Sequence, residues 1–347
     1  MTEPRIALVG EAFGEKEAEE GRPFIGASGR FLNYCLNVAG IQRKDCYCTN
    51  VFNFRPMPKP GRKAYPPNNL RNICGKKFEG IPNRIPLMRS MYVLKEYESE
   101  LTRLYKELDT YDPDLTIALG NTAIWALLGA NQIRKVRGAA HVGYAGRKVL
   151  PTYHPSAVLR QYTLFPVFIA DLQKARKESY FRDVRRPQRF IHIEPGLDDL
   201  YQFERDYIRR SPDLSIDIET AGDQITEIGF APTIDRAIVI PFLDESKPDK
   251  NYWPSLEVEL SAWAWVRRMC GLRKSRVVGQ NFNYDMKFLL GQYGIPVPAA
   301  NHDTMLLHHA LQPEMEKNLG FMASVYTDEL AWKFMRTEKG TTVKKED

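Results

Sequence analysis

The sequence predicts an α/β chain of two domains, and three observations carry that prediction. The first half alternates short apolar strands with helical stretches, the pattern of a doubly wound, mainly parallel sheet covered by helices. A charged, proline-containing stretch, Asp183 to Arg189, then breaks all periodicity and reads as a linker. Strand and helix start afresh beyond it, and 347 residues exceed what one core usually organises. The expected division is 1–182, a linker over 183–190, and a second domain over 191–347.

In the first half, Ile6 to Gly10 is a short apolar strand leading into a glycine-bearing loop that ends at Gly29. Arg30 to Ala39 predicts a helix and Cys46 to Phe52 the next strand. Five prolines between Arg55 and Asn69 impose a loop. Ser90 to Leu108 has helical periodicity, with Leu101, Leu104 and Leu108 among its apolar positions. Leu115 to Leu119 is a strand, Asn121 to Leu128 a helix, and Gly143 to Lys148 a hairpin feeding strand Val149 to Tyr153. Pro155 suits the first turn of the helix that follows. In the second half, strand Phe190 to Ile193, helix Leu197 to Arg210 and strand Leu214 to Ile218 lead into a meander over Ile225 to Phe230 and Ala237 to Pro241.

Composition is that of a globular protein, with 43% hydrophobic and 27% charged residues. No apolar run reaches the eighteen or so residues of a membrane span, and no signal-peptide core opens the chain. A cytoplasmic protein is expected. Five cysteines at irregular spacing read as reduced structural thiols. Charge divides unevenly. Residues 1–190 carry 31 Lys and Arg against 18 Asp and Glu, a balance of +13, and the remainder balances at −7. The basic half suits a polyanion such as DNA. The acidic half suits carboxylate chemistry or an ordinary solvated surface.

Leu214 to Thr220 alternates cleanly, so Leu214, Ile216 and Ile218 share one face while Asp217 and Glu219 share the other. Two adjacent carboxylates repel unless a cation lies between them; an exposed strand face would look the same. Downstream lie Val277-Val-Gly-Gln-Asn-Phe-Asn-Tyr-Asp285, then His302-Asp-Thr-Met-Leu-Leu-His-His-Ala-Leu311, then Leu319 to Asp328. In this order the segments resemble the 3′–5′ proofreading exonuclease domain of family A DNA polymerases, as found in phage polymerases. The resemblance implies a ribonuclease-H-like mixed sheet. It also implies that Asp217, Glu219 and Asp285 hold two Mg²⁺ or Mn²⁺ ions for phosphodiester hydrolysis, with Asn281 touching the trimmed strand. Helix capping is the other reading of Asn281. The family's last motif, a Tyr or His with an Asp four or five residues on, has no match in the Lys- and Glu-rich sequence from Trp332 to Asp347. The exonuclease is therefore expected to be incomplete, weak or inactive, and the chain a piece of a polymerase or the product of an unfinished gene.

The first half carries Val9-Gly-Glu-Ala-Phe-Gly14, Arg22-Pro-Phe-Ile-Gly-Ala-Ser-Gly29, Thr49-Asn-Val-Phe-Asn-Phe-Arg-Pro56, Thr116 to Asn121, and Thr152-Tyr-His-Pro-Ser-Ala-Val-Leu-Arg160. This set resembles family 4-like uracil-DNA glycosylases over nearly the whole of 5–180. The resemblance implies that Phe24 stacks on a flipped uracil and that Asn50 reads its Watson–Crick edge. His154 would donate to the uracil oxygen as charge builds, neutral because it precedes a helix N-terminus. Glu11 would position water or the sugar cation. Gly10, Ala12, Gly14 and Gly26 would let backbone approach base and phosphate. Arg160, with Lys59, Arg62 and Lys63, would grip the DNA backbone. Taken singly, Phe24 reads more often as core, His154 often as a satisfied turn residue and Asn50 as a residue closing a strand end. No metal is expected here. Phe54 stands where cluster-bearing members have cysteine, so no iron–sulfur cluster is expected either. Phe13 stands where the family usually has proline. That leaves a second class of reading: a non-catalytic glycosylase-like module gripping uracil-containing or single-stranded DNA for a C-terminal polymerase module.

Overall fold

The structure is a computed structural model that describes residues 3–329. Two compact units divide it, one formed by the described residues up to Val184 together with residues 320–329, the other by Arg185–Leu319.

In the first unit, strand β1 (Ile6–Ala12) is followed by helices α1 (Glu15–Glu20) and α2 (Ala27–Val38), then strand β2 (Cys46–Phe52). A two-stranded ribbon, β3 (Cys74–Gly75) with β4 (Tyr92–Val93), precedes helix α3 (Glu98–Tyr111). Strand β5 (Leu115–Leu119), helices α4 (Asn121–Leu128) and α5 (Ile133–Val136), and strands β6 (His141–Val142) and β7 (Lys148–Thr152) follow. Helices α6 (Pro155–Arg160) and α7 (Phe165–Glu178) end this stretch. The sheet runs β2-β1-β5-β7-β6, parallel except for the β6–β7 pair. Strands β1, β5 and β7 read as near-continuous apolar runs because helices bury both faces. The helical reading of Ser90 to Leu108 holds only from Glu98 on, because Tyr92–Val93 pairs instead with Cys74–Gly75.

In the second unit, strand β8 (Phe190–His192) and helix α8 (Leu197–Asp206) precede the meander β9 (Asp213–Ala221), β10 (Gln224–Thr233) and β11 (Arg236–Pro241). Helix α9 (Leu256–Cys270), strand β12 (Arg276–Gly279), helix α10 (Asn283–Tyr293), strand β13 (Ala300–Asp303) and helix α11 (Thr304–Leu311) complete it. The sheet order is β13-β12-β9-β10-β11-β8, with β9–β10 and β10–β11 antiparallel and the other pairs parallel. This is the mixed sheet expected for the second half. Leu214, Ile216 and Ile218 enter its core beside Trp265 and Phe282, while Asp217 and Glu219 face outward as the alternation required.

The division differs from the expected one at its far end. Helix α12 (Leu319–Tyr326), read from sequence as part of the second domain, packs from Gly320 on within the first unit. The cause is a buried polar network. Arg137 donates to Asp171 Oδ2 at 2.9 Å and to Ser324 Oγ at 2.7 Å. Lys174 donates to the carbonyls of Gly138 and Ser324 at 3.2 and 2.7 Å, and also to that of Thr327. Two buried cations face one buried carboxylate, and the carbonyls at the end of α12 take up the surplus positive charge. The expectations placed on Trp332 to Asp347 lie outside the described residues.

Candidate active site

Parallel strands converge their carboxyl ends on one crevice, and the sheet order reverses direction around β1. Glu11 ends β1, Asn50 lies near the end of β2, Gly120 follows β5 and His154 follows β7. These ends enclose a cavity of about 310 Å³ lined by Glu11, Ala12, Phe13, Gly14, Phe24, Asn50, His154 and Arg160, with Glu17, Ser28, Asn68 and Ser156 completing the wall. The volume lies at the small end of ligand sites.

Asn50 is only 3% exposed, yet its side-chain amide has no hydrogen-bond partner among the described residues and faces the cavity. Its backbone is fixed instead: Asn53 Oδ1 accepts from its N–H at 3.3 Å, and its carbonyl accepts from Arg103 at 2.8 Å. Gly10 packs directly behind Asn50 and Phe24. A Cβ there would lie 2.2 Å from Asn50 Oδ1 and 2.5 Å from Phe24 Cζ. Phe24 holds a left-handed φ of 57°, which costs an aromatic residue about 1–2 kcal/mol. Its ring faces that of His154 at 6.4 Å between centroids, with the planes inclined by 30°.

His154 caps α6. Its Nδ1 accepts from the Ser156 N–H at 3.2 Å and lies 2.7 Å from Ser156 Oγ. Because Nδ1 accepts, the neutral imidazole carries its proton on Nε2, leaving that edge as a donor. Burial lowers the His154 pKa to about 4, Arg160 adds to the lowering and Glu17 opposes it. The neutrality expected from the helix terminus is thus supplied chiefly by burial. Burial likewise raises Glu11, against the hydrogen bond donated by Thr122 Oγ1 at 2.6 Å and the charge of Arg160.

Gly10 and Gly26 are not among the cavity's lining residues, and Gly26 donates its N–H to Glu17 Oε1 at 2.9 Å. Glu17 also lies where a Cβ on Gly14 would fall, 2.6 Å away. Sequence reading missed Glu17, Ser28, Asn68 and Ser156. Ser156, two residues from His154, was the one whose position could have signalled it. The Pro/Lys loop is a partial correction, because Lys59 pairs with Glu96 and Arg62 with Glu79 at 2.7 and 2.8 Å.

The second unit does not assemble its expected metal set. Among the described residues no group of three or more His, Cys, Asp or Glu is placed to hold a metal ion. Asp217 and Glu219 are exposed on β9, whereas Asp285 is buried and accepts from the Ile218 N–H at 3.0 Å. Burial raises Asp285 to about 6, and Asp217 and Asp303 raise it further. Asp303, which sequence reading left out, spends its carboxylate on the backbone N–H groups of Asn281, Phe282, Met305 and Leu306. Asp217 and Asp303 thus lie close enough to Asp285 to act on its charge, although no three of these residues form a metal-holding group among the described residues. Asn281 has a left-handed φ of 53° beside that anchor, and its side chain does not cap α10.

A doubly wound α/β unit with a small polar pocket at its strand ends defines the class of the first unit. The model of the uracil DNA glycosylase superfamily matches residues 1–185, and the chain belongs to that family. It is 32% identical over 176 residues to a type-4 uracil-DNA glycosylase of Thermotoga maritima, covering 50% of this chain and 76% of that one. It is 27% identical over 170 residues to a DNA polymerase of Bacillus phage SP01, covering 49% of this chain but 15% of the polymerase. Among solved structures, the Aedes aegypti Nibbler EXO domain overlaps 43% of this chain and 77% of its own at 14% identity, with a TM-score of 0.28. An overlap that low carries no weight for the second unit. No helix among the described residues is long and apolar enough to cross a membrane.

Proposed function

We propose that the first unit removes uracil from DNA by hydrolysing the N-glycosidic bond of a flipped nucleotide. The observation that carries this reading is the unpartnered amide of Asn50, 3% exposed and facing the cavity. Its amide opens to the cavity, where a base's Watson–Crick edge would supply the partners it lacks within the protein. Phe24 stacks on the base, and Gly10 admits it against Asn50. As the bond breaks, negative charge gathers on the pyrimidine oxygen, and neutral His154 donates to it through Nε2–H. Glu11 holds water or the sugar cation at the opposite side, and Arg160 neutralises phosphate. None of these steps calls on a metal. Family membership supports the chemistry, and the phage polymerase relative supports service beside a polymerase.

The test is a labelled oligonucleotide containing uracil, incubated with the chain in EDTA and then treated with alkali. Cleavage at the uracil is expected, and it should fall at least about a hundredfold in His154→Ala and in Asn50→Ala. Tight DNA binding without abasic product would instead identify a non-catalytic DNA-gripping module.

The second unit carries Asp217, Glu219 and Asp285 close together without a group of three placed to hold a metal ion among the described residues, so it contributes feeble 3′ trimming in Mg²⁺ or Mn²⁺. Robust metal-dependent trimming by this chain would overturn that.

A further inference from the structure

Outside the pocket, the first unit carries a group of aromatic rings whose planes nearly align. Tyr162 and Phe165 stack at 5.1 Å with planes 5° apart, and Tyr34 lies 6.3 Å from Phe165 at 19°. Phe165 is half-buried against Phe31, which ties the group to α2. The outer rings are open, Tyr162 being 65% and Tyr34 57% exposed. A cluster needed only for packing would turn its rings inward; this one keeps two ring faces in water at an unfavourable hydration cost.

The surroundings say what planar partner suits it. Tyr162 follows Arg160, a cavity-lining residue, by two positions. Tyr34 lies six residues along α2 from Ser28, another lining residue, which is about 9 Å of helix. Arg30 shares the Tyr34 face of α2, and neither Arg30 nor Arg160 makes an ion pair among the described residues. Aligned rings flanked by unpaired cations suit stacked bases on a phosphate chain. Duplex DNA keeps its base faces inside the helix, whereas a single strand offers them.

We propose that Tyr34, Tyr162 and Phe165 form a stacking platform for the single-stranded DNA that flanks the nucleotide held in the pocket. The proposal rests on the glycosylase reading for its direction, but it is read by a separate measurement. Fluorescence anisotropy with an end-labelled single strand lacking uracil reports the platform, whereas excision reports the pocket. Tyr162→Ala and Tyr34→Ala should each weaken single-strand binding roughly tenfold, with Tyr162→Phe close to the parent. Duplex binding should change by no more than about twofold. With a uracil-containing single strand, KM should rise by the same factor as Kd, while kcat stays put. Alanine variants that bind single strands like the parent would overturn the proposal. So would an equal loss on duplex and single strand.

Discussion

The two units place their polar groups in opposite ways. In the first, three strand ends bring Glu11, Asn50 and His154 into one cavity, and the surrounding shell fixes each of them. Thr122 holds Glu11, Arg103 holds the Asn50 backbone and Ser156 selects the His154 tautomer. In the second, Asp217 and Glu219 stand on an open sheet face, and the buried Asp285 is tied to the Ile218 N–H. The difference teaches that the right residue types in the right order do not make a site. Convergence and anchoring do.

The largest effect expected from breaking this contrast is at Gly10. Gly10→Ala would force Asn50 and Phe24 apart, since its Cβ has only 2.2 and 2.5 Å of clearance to them. Displacement of about 1 Å costs on the order of a hundredfold in rate, so uracil release should fall by that factor with the circular dichroism spectrum unchanged. Next comes the buried network under the pocket. Asp171 accepts from Thr152 Oγ1 at 2.7 Å as well as from Arg137, and Thr152 precedes His154 by two residues. Asp171→Ala leaves Arg137 and Lys174 buried without their carboxylate, and urea unfolding should show a loss of about 3–5 kcal/mol. Smaller again is the effect at Asp285. Its carboxyl sits at about 6 in the folded chain against 3.8 ordinarily, so the folded state binds the proton more readily. Its contribution to stability should be present below about pH 4 and be lost as the pH rises through about 6. Asp285→Asn should remove that loss, stabilising the second unit by about 1 kcal/mol at pH 8.

Much of the fold was legible because periodicity is local. The β5 and α4 ranges, Leu115–Leu119 and Asn121–Leu128, follow from apolar runs and a glycine between them. The alternation at Asp217 and Glu219 set the face of β9 correctly. What could not be read depended on distant partners. The β4 ribbon exists because Tyr92–Val93 finds Cys74–Gly75, and α12 belongs to the first unit because Lys174 and Arg137 hold it. The pocket followed the same rule. Asn50, His154 and Phe24 were visible in motifs, whereas Glu17 and Asn68 reach the cavity only through folding. The exonuclease motifs were visible too, but motif order carries no information on whether carboxylates converge.

The most direct test of where the chemistry resides compares two variants of the whole chain on one substrate. Free uracil released from a single-stranded oligonucleotide in EDTA is measured for His154→Ala and for the double variant Asp217→Asn with Asp285→Asn. The double variant should match the parent rate, while His154→Ala should fall at least about a hundredfold. Excision that survives the loss of His154, or that disappears with the two aspartates, would contradict the assignment of catalysis to the first unit.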